Sequence, residues 1–327
     1  MKRWMTKTCM ALGMVAASIG ASAPATAQNY PSQALKWIVP YPAGGGSDVT
    51  ARLLASAMSK GLGQPIVIEN RPGAGTQIGA QAIENAPKDG YTVGSVDSGT
   101  LAFNPSLYKK LTYNPDTSFT YIGGFARMPL ALATRPDLGV NTLQEFIDLA
   151  KKHPGKLTYS SAGAGSPHHV AMEMLAQRTG MKLVHVPYKG AAPAVQDLMS
   201  GQVDAMMLDV PGGLSIMKSD KVKVLAIAMP KRVSQLPNLP TMAEAGLPDF
   251  VAFAWQGLVA PAGLAPAVVE RVGAELRKAL DDPQVRTQLE TSGIDPMPMS
   301  AVDFTAYAKA ERERWAAIIK TAGISLG

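Results

Sequence analysis

Two stretches of this 327-residue chain are almost bare of side chain: "PAGGGSD" at 42–48 and "SAGAGSPHH" at 161–169. Each follows an apolar run and opens an amphipathic one. Glycine lets the backbone approach a ligand closely and take positive φ. The first turn of a helix offers free N–H groups and the positive end of the dipole. Together these features suit an anion, and Ser47, Ser161 and Ser166 add hydroxyl donors. A Walker-type phosphate loop needs Gly-Lys-Ser/Thr, and a dinucleotide fingerprint needs Gly-x-Gly-x-x-Gly; neither stretch supplies either. A carboxylate carries about one charge and can be held by N–H and O–H donors alone. Read singly, each stretch is also a plain strand-to-helix turn; two matching loops weaken that reading without removing it.

A third glycine stretch, "NRPGAGTQIG" at 70–79, allows two readings. Arg71 pairs with an acidic ligand, or Asn70 and Arg71 tie neighbouring loops together. Asp48 reads as a helix cap, because an acid there would repel a carboxylate. Enzyme chemistry finds no assembly. The one Gly-x-Ser-x-Gly, "GISLG" at 323–327, ends the sequence with no helix after it, so it is no nucleophile elbow. His168 and His169 are adjacent and cannot share a helix face, and there is no His-Glu-x-x-His. They read as polar residues at a helix start, with a cleft-facing His168 as the second reading. His153 and His185 stand alone, and Asp281 and Asp282 close a helix. No acid–base set, metal site or cofactor is expected, and the chain reads as a non-enzyme.

The elements that carry these loops alternate. "LKWIVPY" (35–41) reads as a buried strand, "DVTARLLASAMSKGLG" as a helix ended by glycine, and "PIVIEN" as the next strand. The helix "AQAIENA" and the runs "YTVGSVD" and "TYIGGFARMPLALATR" follow. The second half repeats the pattern. A capping box joins Thr142 to Glu145, Pro154-Gly155 stops that helix, and "KLTYSS", "KLVHVPY", "VDAMMLD" and "VKVLAIA" read as strands between helices. Long helices end the chain. This order predicts an α/β fold with a mainly parallel sheet, in two α/β domains connected by strands.

The N-terminus reads as a secretory signal over residues 1–27. Lys2, Arg3 and Lys7 precede the mild apolar run "CMALGMVAASIGASA", and "ATA" at 25–27 is the cleavage pattern. That segment holds three positive charges and no acid, so its removal lowers the net charge from +6 to about +3. So small a charge, with no basic cluster among aromatics, argues against nucleic acid. Cys9, the only cysteine, leaves with the signal and lacks a lipoprotein setting. The mature chain therefore has no disulfide or thiol chemistry, and a bacterial periplasm fits secretion without disulfides.

The ordered motifs "YPAGGGSDVTARLLA" (41–55), "ENRPGAGTQIGA" (69–80), "APKDGYT" (86–92), "NPSLYKKLTYNP" (104–115) and "YSSAGAGSPHH" (159–169) carry a family resemblance. So do "HVPYKGAAPAVQDLMSGQVD" (185–204), "LPNLPTMAEAGLP" (236–248) and "WQGLVAPAG" (255–263). The chain resembles the substrate-binding receptors of tripartite tricarboxylate transporters, the Bug-type receptors, over nearly its whole mature length. The resemblance implies a type II periplasmic binding protein (Venus flytrap) fold, in which two α/β lobes joined by crossover strands close over a ligand. The first lobe would comprise 28–127 and 252–327, the second 128–251. By motif position, Tyr41, Ala43, Gly44, Gly45 and Ser47 would hold one side of a small carboxylate. Ser161, Ala164, Gly165, Ser166 and His168 would hold the other. Tyr188 and Asp209 follow strands of the second lobe, and Ser98 and Thr100 would help set which side group is accepted. The implied partners are the ligand and the integral membrane subunits of such a transporter, with the receptor a monomer. Two alternatives remain: a secreted α/β hydrolase, or a receptor that feeds a sensor.

Overall fold

The computed structural model describes residues 30–326. The signal segment expected over 1–27, with Cys9, lies outside the described residues. Residues 31–326 belong to one compact unit.

Among the described residues, ten strands and ten α-helices follow in chain order. The first stretch holds β1 (Leu35–Val39), α1 (Gly46–Leu62), β2 (Ile66–Asn70), α2 (Gln77–Glu84), β3 (Thr92–Asp97), α3 (Asn104–Leu107) and β4 (Phe119–Thr134). The middle holds α4 (Leu143–Lys152), β5 (Thr158–Ser161), α5 (Pro167–Thr179), β6 (Val184–Pro187), α6 (Ala191–Met199), β7 (Ala205–Asp209), α7 (Val210–Met217) and β8 (Lys223–Ile227). The last part holds β9 (Phe253–Pro261), α8 (Pro266–Asp281), α9 (Pro283–Thr291), β10 (Asp295–Pro296) and α10 (Ala301–Ala322).

Local chemistry sets the ends of these helices. Gly63 closes α1 in the left-handed region at φ 72°, and its N–H binds the Ser59 carbonyl. The Thr142 hydroxyl accepts from Glu145 N at 3.1 Å, while the Glu145 carboxylate reaches Asn141 N at 2.6 Å. That is the expected capping box, with its return bond shifted by one residue.

The sheet runs β2-β1-β3-β9-β4-β7-β5-β6, and β8 and β10 also pair with β4. It is mixed, not mainly parallel. β1 pairs in parallel with β2 and β3, and β5 pairs in parallel with β6 and β7. Between these parallel ends, β4 and β9 run antiparallel to their neighbours. The cause is the length of β4, a 16-residue strand. Its first part pairs with β9, and Leu130–Thr134 pairs with β7 and β8. One strand thus passes from one half of the sheet to the other and reverses the sense at the crossing.

Both halves are packed. Trp37, Phe125, Phe146, Tyr159, Trp255 and Phe304 are fully buried. Gly257 on β9 makes room for Phe304, since a Cβ there would lie 2.0 Å from the ring. The consequence for function is geometric. The C-terminal ends of β1, β3, β5, β6 and β7 open toward one another across the crossing, which is where open α/β sheets bind ligands. No helix of the described residues is long and apolar enough to cross a membrane.

Candidate functional site

Four helices begin around one cavity of roughly 580 Å³, its open mouth included. α1 contributes Gly45, Gly46 and Ser47, and α5 contributes Pro167 and His168. α6 contributes Gly190, Ala191 and Ala192, and Asp209 caps α7. Each N-terminus carries roughly +0.5 charge and unsatisfied N–H groups. The wall between them is mainly apolar, with Pro42, Met128, Pro193 and Ala254, and no lysine or arginine lines it.

The four ends are not equivalent. Ser166 caps α5 by accepting from His169 N, and Asp209 caps α7 by accepting from Gly212 N at 2.8 Å. The N-cap positions of α1 and α6 are Gly45 and Gly190, which have no side chain to offer as a cap. The first amides of these two helices are therefore the donors best placed for an outside anion. Asp48, read as a cap, sits inside α1. Its carboxylate instead accepts from Gly44 N, from Arg52 and from Asn70 Nδ2. Burial opposes its ionisation, but these donors hold it below the usual carboxylate range. Asn70 also reaches the Tyr41 carbonyl, so this group ties loops together, while Arg71 pairs with Glu69.

Charged and polar groups floor the cavity. The Tyr41 hydroxyl donates to Asp97 Oδ2 at 2.6 Å. Burial and the Asp97 charge raise its pKa well above the normal phenol value. Asp209 Oδ1 lies 2.9 Å from His168 Nε2. Burial disfavours the Asp209 charge, but the His168 hydrogen bond and charge, with the Gly212 amide, pull its pKa down. Gln256 Nε2 donates to the Ser47 hydroxyl. His168 Nδ1 and Gln256 Oε1 are buried without a partner.

A second cavity of roughly 760 Å³ adjoins the first, across Tyr41, Pro42, Ala162 and Gly190. The 73–76 turn faces the 162–166 loop there, with Tyr188 at its side. The loop is held from behind by its own bonds. The Ser161 hydroxyl bonds Gly163 and lies 2.7 Å from His185 Nε2, and Gly165 N donates to His169 Nδ1 at 3.1 Å. Ser166 N donates to the Gly163 carbonyl. Under the loop the His169 and His185 rings stack at 4.0 Å, and Tyr159 stacks on His185 at 4.8 Å. Burial, then the neighbouring His185, lowers the His169 pKa to about 3; burial lowers that of His185 to about 4. Both rings are neutral at pH 7.

The residues singled out in the sequence therefore separate. Tyr41, Ala43, Gly45, Ser47, His168 and Asp209 line the first cavity. Ala164, Gly165, Ser166 and Tyr188 line the second, which Tyr41 shares. Gly44, Ser98, Thr100 and Ser161 line neither. The Thr100 hydroxyl binds Asp97 and Thr76, and the Tyr188 hydroxyl binds Asp197. Sequence reasoning missed Gly46, Asp97, Gly190, Ala191, Ala192 and Gln256. "KGAAP" at 189–193 had the signal: a glycine followed by small residues that open a helix. Asp97 ends a predicted strand, where the switch-point rule looks first. No local signal marks Gln256.

The receptor model of the tripartite tricarboxylate transporter family matches residues 50–324. Protein BugT of Bordetella pertussis is 34% identical over 323 residues, 98% of this chain and 99% of BugT. The solved structure of the periplasmic binding protein BugD superposes with a TM-score of 0.86 at 35% identity, covering 90% of this chain and 99% of BugD. A Rhodopseudomonas palustris protein solved with adipate gives a TM-score of 0.88 at 32% identity, covering 90% of this chain and 99% of its own. MatC of the same organism, solved with malate, gives 0.85 at 34%, covering 89% and 100%. The fold is that of periplasmic binding proteins, and the chain belongs to the solute-binding receptors of the tripartite tricarboxylate transporter family.

Proposed function

We propose that the protein captures a small carboxylate between two lobes in the periplasm and presents it to the membrane subunits of a tripartite tricarboxylate-type transporter. The observation that carries this is the meeting of four helix N-termini at a cavity with no lysine or arginine, two of them without a side-chain cap. A carboxylate there would complete α1 and α6 as a capping side chain does. Relatives solved with adipate and with malate support the ligand class. The lobes would be 28–127 with 252–327, and 128–251, so that α1 and α6 come from opposite lobes. Bridging both helices with one anion favours the closed arrangement, which is what a permease would read.

A thermal-shift panel of mono- and dicarboxylates tests this. A true ligand binds only the folded chain and raises its Tm by roughly 5 °C or more at a hundredfold excess over Kd. No response to any acid, with a response to an uncharged solute, would refute the carboxylate reading.

A further inference from the structure

The groups lining the first cavity differ in what they ask of a ligand. α1 and α6 present N–H donors to it. Beside the start of α1, where Gln256 bonds Ser47, the lining also holds acceptors. Asp97 on β3 and Gln256 on β9 are direct partners across an antiparallel pair, so their side chains share a face. Both are buried, each 2% exposed. Asp97 has no cation beside it among the described ion pairs. Its donors are Thr100 N and Thr100 Oγ1 on Oδ1, and Tyr41 OH on Oδ2.

The lone pairs can be counted. Each carboxylate oxygen accepts about two hydrogen bonds. Oδ1 is filled by Thr100, whereas Oδ2 has room for one more. Gln256 spends its amide N–H on Ser47, and its Oε1 has no partner. A buried acceptor left unmade is costly. The patch combines the Asp97 carboxylate with one buried acceptor, Gln256 Oε1, that lacks a donor. A second carboxylate placed there would meet like charge and unfilled lone pairs at once, whereas an ammonium, amide or hydroxyl would answer both.

We propose that the preferred ligand is a monocarboxylate that also carries an N–H or O–H donor, received by Asp97 Oδ2 and Gln256 Oε1, and that dicarboxylates of equal length are disfavoured. This rests on the carboxylate reading above and narrows it. Asp97 and Gln256 then act as specificity-determining residues, one supplying charge and the other a neutral acceptor.

Calorimetric titration of the full chain with matched acids tests it. The probes are succinate, 4-aminobutyrate and 4-hydroxybutyrate, then adipate, 6-aminohexanoate and 6-hydroxyhexanoate. In at least one series a donor-bearing acid binds about tenfold or more tighter than the dicarboxylate, since sites built for a hydrogen-bonding group reject analogues lacking it. Asp97→Asn reverses that ratio. Asp97 also holds Thr100, so Gln256→Glu serves as a second variant. It keeps or strengthens binding of the amino acid and weakens the dicarboxylate further. Dicarboxylates binding as tightly as the donor-bearing acids, or Gln256→Glu weakening the amino acid at least tenfold, overturns the proposal. The latter result would mean that Gln256 turns its amide N–H, not its oxygen, toward the ligand. A tight dicarboxylate leaves the receptor reading intact, and no binding in either series overturns this proposal alone, the carboxylate reading being refuted only by the outcome named for the thermal-shift panel.

Discussion

The two glycine loops look alike in sequence and behave differently in the fold. At 42–48 the glycines lead into α1, whose N-cap is Gly45 and whose first amides have no side-chain acceptor. At 161–166 the same bareness hides a closed circuit. Gly163 N, Gly165 N and Ser166 N are bound to Ser161, His169 and Gly163, and Ser166 caps α5. The first loop offers donors; the second offers shape, held by a neutral His169–His185–Tyr159 stack. The true counterpart of the first loop is the start of α6, which also lacks a side-chain cap. Glycine content therefore shows where backbone can come close to a ligand. It does not show whose N–H groups are still free.

Substitutions that fill each loop separate donor from shape most strongly. A Cβ on Gly46 would lie 3.1 Å from Asp209 Oδ2 and 3.4 Å from Pro211. Gly46→Leu should lower affinity by about tenfold or more, because its side chain fills the cavity over the first amides of α1, and should lower Tm only by the modest cost of crowding Asp209 and Pro211. Gly165 has φ 79°, and a Cβ there would lie 2.9 Å from Asn104 Oδ1. Gly165→Leu should give a folded chain that loses binding and also melts earlier, because its backbone conformation is strained. Equal melting of both variants would erase the distinction.

The stack beneath the second loop should respond to pH in a higher window than the first loop, whose Asp48 is held below the usual carboxylate range. His169 and His185 are lowered from 6.5 to about 3 and about 4. Below 6.5 the unfolded chain binds more protons than the folded one. The stability from these neutral rings is thus complete above about pH 6.5 and is lost as pH falls toward 4 and then 3. Melting curves should drop by about 5 °C or more between pH 7 and pH 4, at roughly 2–4 °C per kcal/mol. His185→Gln should flatten that slope, and an unchanged slope would deny the stack its role.

Caps give the smallest effects. Ser166→Ala should cost about 1 kcal/mol, the usual worth of a side-chain N-cap. Gly45→Ala should change stability by no more than about 0.5 kcal/mol, because alanine is the poorer N-cap but restricts the unfolded chain. Its φ is −80°, and a Cβ would meet only the Pro42 carbonyl, at 3.8 Å. Urea unfolding of the two variants reads both values, and a matching loss in each would show that α1 is capped after all.

Much of the fold is legible because alternation and punctuation are local. The Thr142–Glu145 box and the strands "LKWIV" and "AMMLD" follow from their own residues. Strand direction is not local. A mainly parallel sheet follows from alternation alone, and only the pairing of β4 with β9, β7 and β8 reveals the antiparallel crossing. The site divides in the same way. Tyr41, Ser47, His168 and Asp209 flank loops that announce themselves. Gln256 sits mid-strand on β9 and joins the cavity only because β9 pairs with β3 opposite Asp97. Ser161 and Thr100 carry the expected hydroxyls but spend them on His185, Gly163, Asp97 and Thr76.

The proposed function stands on a carboxylate held by the first amides of α1 and α6. Amide chemical shifts recorded while a stabilising acid from the thermal-shift panel is added test it most directly. Large shifts are expected at Gly46, Ser47, Ala191 and Ala192, with Gly163 and Gly165 nearly still. Large shifts at Gly163 and Gly165, with those four amides unmoved, would contradict it.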